Sequence, residues 1–411
     1  MQKTKRITAL ILLVGMLAAF TACSQIDGAV DWFQSIREQI LSLMPQSVDW
    51  DTLPSEPVPN SAESINKDVQ VPPSRHYYAR LTARQQHAYI ALLRQMPDFP
   101  KRIEIPPMNG DSLAAVVEAY SYDNPAQFNL GESYTLITQG AKSYFQPEYR
   151  FDKENYAISQ QKMQREIEKA VKTMPANGSD YEKELTVHNF LVNRIVYQNH
   201  ALAYEATAYG ALVLGKAACE GYSRAAKLLL EALGVETVLT TGNATNNAGK
   251  TEAHMWNTVK VDGAWYQLDV TWDDPGETNN DGWRYDYFNV TDKEISGTHK
   301  LNGFIPCTST KANYFRKEGL YFENYNAAAK SAISAALGRN VKIGVYQLDL
   351  RFAGSAVLAE AQEKLTNSNN GEIYRMLKTA SINAKEPIVT NEIRYYVNEE
   401  LNTIRFLVGL A

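Results

Sequence analysis

The chain has 411 residues, of which 45% are apolar and 21% charged, enough to bury a large core but too many for one compact domain. Its formal net charge is −5, and residues 1–22 contribute Lys3, Lys5 and Arg6 without any acid, so the remainder is more acidic than the whole and argues against a basic nucleic-acid face. Cysteines occur only at 23, 219 and 307, far from the density of a disulfide-stapled scaffold, so each needs its own explanation.

The start, Met1 to Arg6, is positive, and residues 7–20 form an apolar run too short to span a membrane, which together predict an export signal. The run ends in Phe20-Thr21-Ala22-Cys23-Ser24, which resembles the lipobox of bacterial lipoproteins, with Phe20 where leucine is more usual. That resemblance implies a signal peptide over 1–22, lipid modification of Cys23 and an extracytoplasmic, membrane-anchored protein; an ordinary cleaved signal followed by a chance cysteine is the plainer alternative. Ile26, Val30, Phe33, Ile36, Ile40 and Met44 recur at helical spacing, and Pro45, Pro54, Pro57, Pro59, Pro72 and Pro73 then make residues 23–75 a tether rather than a core.

Beyond it, periodicity predicts an N-terminal α+β region over 76–152: a helix near 82–96, a strand at 102–105, a helix over 111–121, and strands near 133–138 and 143–149. Helices over 154–174 and 180–196, parted by Pro175-Ala176-Asn177-Gly178-Ser179, open a core region over 153–308. A C-terminal α+β region over 309–411 reads as helices near 325–337, 353–366 and 371–383 with strands near 341–348, 391–397 and 403–409.

The chemistry concentrates in the core region. Cys219 stands at or beside the start of a helix whose apolar stripe is Tyr222, Ala225, Ala226, Leu229, Leu230 and Leu233, closed by Gly234. Unpaired N–H groups and the positive helix end there favour a thiolate and can hold an oxyanion. Cys219 falls on the stripe that faces the core, opposite Arg224, Lys227 and Glu231. Downstream, Val261-Asp262-Gly263-Ala264 is a two-residue turn signal that predicts a hairpin of 251–260 with 265–271, pairing residues whose numbers sum to 525. His254 and Asp269 then become diagonal neighbours on one face, about 7–8 Å apart along the backbone, close enough for the carboxylate to hold the imidazole. The aspartate would fix the tautomer, leaving the other ring nitrogen to take the thiol proton.

At these residues the chain resembles the bacterial transglutaminase-like domain: Ala218-Cys219-Glu220-Gly221-Tyr222-Ser223, then Glu252-Ala253-His254-Met255-Trp256-Asn257, then Trp265 through Leu268-Asp269 to Trp272-Asp273-Asp274-Pro275. The resemblance covers roughly residues 180–300. It implies an α+β, papain-like core with Cys219 as nucleophile, His254 as general base and acid, and Asp269 as orienting partner. It further implies attack on an amide bond through a thioester, either hydrolysing a peptide or passing the acyl group to an amine. The expected partner is a protein or peptide substrate, cell-wall associated material included, and no cofactor or metal is expected. Regions 76–152 and 309–411 receive no assignment from it.

Three rival readings are weaker. A metal site lacks paired ligand spacing; the acidic run 273–282 fails the EF-hand pattern, since Phe288 falls where a bidentate glutamate belongs; and a Cys219–Cys307 disulfide would consume the nucleophile. A catalytically silent surface-binding module, suited by 24 tyrosines, is the alternative function.

Overall fold

The structure, a computed structural model, describes residues 71, 74–198, 204–246, 248–274, 276, 283–367 and 371–411. The expected signal peptide, the expected lipidation site Cys23 and nearly all of the tether lie outside these residues.

The N-terminal region follows its sequence pattern. Helix α1 (Ala83–Gln95) starts at a Thr82/Gln85 capping box, and strand β1 (Ile103–Ile105), helix α2 (Gly110–Asp123), and strands β2 (Leu130–Gln139) and β3 (Lys142–Tyr149) follow. The strands make an antiparallel sheet in the order β1-β3-β2.

Helices α3 (Lys153–Lys172) and α4 (Asp180–Arg194) come next, each with an N-cap side chain, Asp152 and Ser179, where the breaker run ends. A short parallel pair, β4 (Val196–Tyr197) and β5 (Lys216–Ala217), leads into helix α5 (Cys219–Ala232). Its apolar stripe is buried as expected, but its polar face is not a solvent face. Lys227 is buried and donates to Glu231 (2.6 Å) and to the Thr237 carbonyl, while Arg224 donates to the carbonyl of Ser121 at the end of α2 (2.8 Å). Arg224 and Lys227 supply donors for carbonyls on neighbouring elements, which the helical period alone could not reveal.

The sheet beside α5 has the order β8-β7-β6-β9 and is antiparallel throughout, with β6 (Thr237–Thr245), β7 (Thr251–Val261), β8 (Ala264–Leu268) and β9 (His299–Leu301). Asp262 and Gly263 both have positive φ, 50° and 81°, as a type I′ turn requires, and the register is the expected one: Val261 with Ala264, Thr258 with Gln267, Asn257 with Leu268. The ladder stops there. Asp269 caps a one-turn helix, α6 (Val270–Asp273), by accepting from the N–H groups of Thr271 (3.0 Å) and Trp272 (3.1 Å). The anticipated strand 265–271 is thus three residues too long, because the aspartate side chain offers those N–H groups a partner that ends the ladder.

After α7 (Asp292–Ile295), β9 and α8 (Tyr314–Lys317), the C-terminal region builds another four-stranded sheet, β10-β11-β13-β12, from β10 (Tyr321–Phe322), β11 (Gln347–Phe352), β12 (Arg394–Asn398) and β13 (Thr403–Leu407). Helices α9 (Ala327–Ile343), α10 (Ser355–Thr366) and α11 (Glu372–Ser381) belong to the same region. The strand expected over 341–348 is corrected. Val341 completes the buried stripe of α9 with Ile333 and Leu337, Gly344 stops the helix at φ 84°, and the strand begins only at Gln347. All six residues of β11 are buried, including Asp349 and Arg351, which are paired with Arg405 (2.8 Å) and Glu294 (3.1 Å). One hydrophobic cluster runs from Phe128 to Val408 through α5 and β11, so the C-terminal helices and strands share a core with the hairpin that carries the site.

Candidate active site

Because β8 ends at Leu268, the outer edge of β7 beyond Asn257 has no strand beside it among the described residues, and helix α5 lies against it. The Met255 carbonyl accepts from Ser223 Oγ (2.9 Å), the amide of Asn257 donates to the Ser223 carbonyl (3.0 Å), and Ser223 Oγ also reaches the Cys219 carbonyl one turn back (2.8 Å). These bonds set the first turn of α5 against the His254–Met255 segment. Cys219 is the first helical residue, with Ala218 as N-cap; the Gly221 and Tyr222 N–H groups bond to the Ala218 carbonyl (3.0 and 3.2 Å), so within the first turn it is the Cys219 and Glu220 N–H groups that have no carbonyl of the helix to bond. Gly221 permits the approach of the preceding loop: a Cβ there would lie 2.4 Å from the Glu205 carbonyl oxygen.

His254 Nε2 donates to Asp269 Oδ2 at 2.6 Å, which leaves Nδ1 as the nitrogen free to receive a proton from a thiol. Asp269 is fully buried. Burial by itself would push its carboxyl up, but the two imidazoles of His254 and His299 hold it well below the usual carboxylate range. The anion is therefore permanent, able to stabilise a cationic His254.

The thiol is tuned the other way. Cys219 Sγ is 3.4 Å from Glu220 Oε2; burial first and this carboxylate second push the thiol up, with the Met255 backbone N–H opposing them. The helix start had suggested a depressed thiol, and this is a correction: a half-buried sulfur beside an anion outweighs the helix end. Among the described residues, the side-chain partner of Sγ is Glu220 and not His254, and burial together with that carboxylate favours the protonated thiol over the thiolate. Cys219 and Cys307 are both free thiols, and the buried Cys307 is placed by Asp292 and Gln267.

The turn bearing Asp269 is tied down on two further sides. Asp273 Oδ2 is 3.2 Å from Nε2 of His188 on α4, Asp273 Oδ1 accepts from the Tyr287 N–H (3.0 Å), and Tyr222 on α5 donates to Asp274 (2.6 Å). Burial pushes Asp273 up to about 6 against the pull of His188.

Residues 167–270, about a quarter of the chain, match the family model of the transglutaminase-like superfamily. The chain carries a transglutaminase-like domain. No curated protein matches it. Among solved structures, one described as a TGase is 19% identical over 45% of this chain and 53% of that one, with a TM-score of 0.24. A candidate cysteine protease from Cytophaga hutchinsonii is 19% identical over 21% of this chain and 30% of its own, with a TM-score of 0.19. A candidate protease from Parabacteroides distasonis ATCC 8503 is 10% identical over 33% and 35%, with a TM-score of 0.18. This chain spans about half the length of the first of these and less of the others. The transglutaminase-like domain is α+β, with a papain-like arrangement of a helix-borne cysteine against an antiparallel sheet.

His299, on β9, had no role in the sequence reading. Its Nε2 lies 3.0 Å from the same Asp269 oxygen that holds His254, and one ligand atom each from His254, Asp269 and His299 fall within 4.8 Å of one another. Three such ligand atoms could hold a metal ion, a convergence that paired ligand spacing could not have signalled. Here both imidazoles spend a nitrogen on one carboxylate oxygen, and the trio is walled by Trp256 and Trp272, with ring centroids 5.0 and 4.6 Å from that of His299. That arrangement is a hydrogen-bonded cluster. Glu220 stood inside a quoted motif without a role, and only its distance from sulfur supplies one.

Proposed function

We infer that this chain is an exported, lipid-anchored thiol enzyme that attacks peptide or glutamine-type amide bonds through a thioester. The observation that carries the reading is the 2.6 Å bond from His254 Nε2 to a permanently anionic, buried Asp269, on the strand segment to which Ser223 bonds the first turn of the Cys219 helix. In the reaction the Cys219 proton passes to His254 Nδ1 as sulfur bonds to the amide carbon, and the carbonyl oxygen takes the negative charge near the first-turn N–H groups of α5. His254 returns the proton to the departing amine or ammonia as the C–N bond breaks. Water or an acceptor amine then attacks the thioester, giving up its proton to His254, and thiolate leaves and is reprotonated. Hydrolysis gives a peptidase or deamidase and amine attack gives a crosslinking transglutaminase. Lipid attachment at Cys23 would hold the domain outside the cytoplasm, where membrane-proximal or cell-wall proteins supply substrate.

The raised Cys219 thiol supports a second reading, a surface-binding module that keeps the fold without the chemistry. Mass spectrometry of Cys219 after incubation with amide substrates and an amine acceptor separates the two. A trapped acyl adduct, absent in Cys219→Ala, is the expected result; its absence across peptide and glutamine donors favours the binding module.

A further inference from the structure

Asp269 has more partners than a three-residue site needs. Oδ1 accepts from the N–H groups of Thr271 (3.0 Å) and Trp272 (3.1 Å), and Oδ2 is 2.6 Å from His254 Nε2 and 3.0 Å from His299 Nε2. Four donors fill the four lone-pair directions of a carboxylate. The sheet register explains how two histidines reach one oxygen. His254 pairs with Gly242 on β6, and His299 pairs with Ala244 on its other side, so the two side chains share one face of the sheet from the strands that flank β6, with Gly242 between them. A Cβ at Gly242 would lie 2.1 Å from the Lys300 carbonyl oxygen and 2.8 Å from the ring of Trp256; its absence lets β9 and that ring close in.

We propose that His299 is a positioning residue for the thiol site, donating Nε2–H to Asp269 as a neutral imidazole and so fixing the carboxylate in the orientation that holds His254 as its Nε2–H tautomer, with Nδ1 left to take the thiol proton. This rests on the function inferred above. Neutrality matters: an imidazolium at His299 would compete with His254 for the single negative charge, whereas a neutral donor locks the oxygen and leaves that charge to the His254 cation formed during catalysis. The surroundings favour the neutral ring. His299 is buried among Trp256, Trp272 and Tyr287, with centroids 5.0, 4.6 and 5.3 Å away, and the Thr298 hydroxyl, which has the Ile295 carbonyl as a longer alternative acceptor at 3.3 Å, can donate to Nδ1 at 2.8 Å. Burial also pushes the His299 imidazole down, against the pull of Asp269. Asp269, His254 and Tyr287 are the titratable groups facing it.

The test uses the full chain in detergent, labelled with 15N-histidine, as wild type, His299→Phe and His299→Gln. Phenylalanine keeps a ring in the aromatic cage without a donor, and glutamine restores a donor without the ring. Long-range 1H–15N spectra read each tautomer directly, and iodoacetamide alkylation of Cys219 across pH reads the thiol. Wild type should show Nε2–H on both His254 and His299. His299→Phe should mix the His254 tautomers and slow alkylation about tenfold, the scale of a hydrogen bond to a charged group, and His299→Gln should recover most of it. Nδ1–H on His299, or an unchanged His254 tautomer and alkylation profile in His299→Phe, overturns the proposal. A wild-type chain with these tautomers that forms no thioester would overturn the inferred activity and leave the positioning role standing.

Discussion

Glu220→Gln isolates the electrostatic brake on the nucleophile. The carboxylate oxygen lies 3.4 Å from Cys219 Sγ, and glutamine keeps the side-chain shape while removing the charge. Two unit charges at that distance repel by about 1.2 kcal/mol even with the dielectric constant of bulk water, about 80, which is roughly a tenfold change in the thiolate fraction. The half-buried setting enlarges the effect. Part of the gain is returned, because a more acidic thiolate is a weaker nucleophile, with a Brønsted slope of about 0.4–0.5. Alkylation at pH 7 should therefore accelerate about threefold or more, and the titration should move to lower pH. The assay is iodoacetamide labelling of both proteins from acid to alkaline pH, read by peptide mass at Cys219. Wild type should react slowly near pH 6 and speed up throughout the alkaline range, since burial and Glu220 push its thiol up. A variant that alkylates no faster than wild type at pH 7, or whose titration moves to higher pH, would refute the assignment of Glu220.

Asp269→Asn leaves an amide facing four N–H donors and favours the wrong His254 tautomer; turnover should fall about 10⁴-fold, as for the corresponding change in serine proteases, and retention of more than a tenth of wild-type turnover would exclude the orienting role. Glu184 on α4 is buried, with Asn289 donating to it at 2.5 Å, and burial pushes it up from 4.5 to about 8. Between those values the unfolded chain releases this proton and the folded chain keeps it, so stability falls as pH rises through the window, by roughly 3 kcal/mol at most near pH 7. Glu184→Gln should flatten that loss relative to wild type, and parallel denaturant-stability curves from pH 5 to 8 would contradict it. Cys23→Ala should release the protein from the membrane fraction or leave an uncleaved precursor; an unaltered mature species in the membrane fraction would count against lipidation.

The local signals were strong where neighbours in sequence are neighbours in space. The apolar periods of α1 and α4, the breaker run 175–179, the Asp262-Gly263 turn and the 3.6-residue stripe of α5 located most elements before any contact was known, and the two-residue turn alone set the hairpin register that brings Asp269 toward His254. What followed from long-range packing could not be read the same way. The strand ended at Leu268 because Asp269 found donors in the next turn; β11 ran through Asp349 and Arg351 because partners about 55 residues away in sequence neutralised them. The charge state of Cys219 depended on how deeply its first turn is covered and on where the Glu220 side chain settles. His299 joined the site only because β9 pairs with β6 across Gly242. Residue type and spacing thus determined which groups could do thiol chemistry, while burial and strand pairing, which depend on distances through space rather than along the chain, decided their protonation and their fourth member.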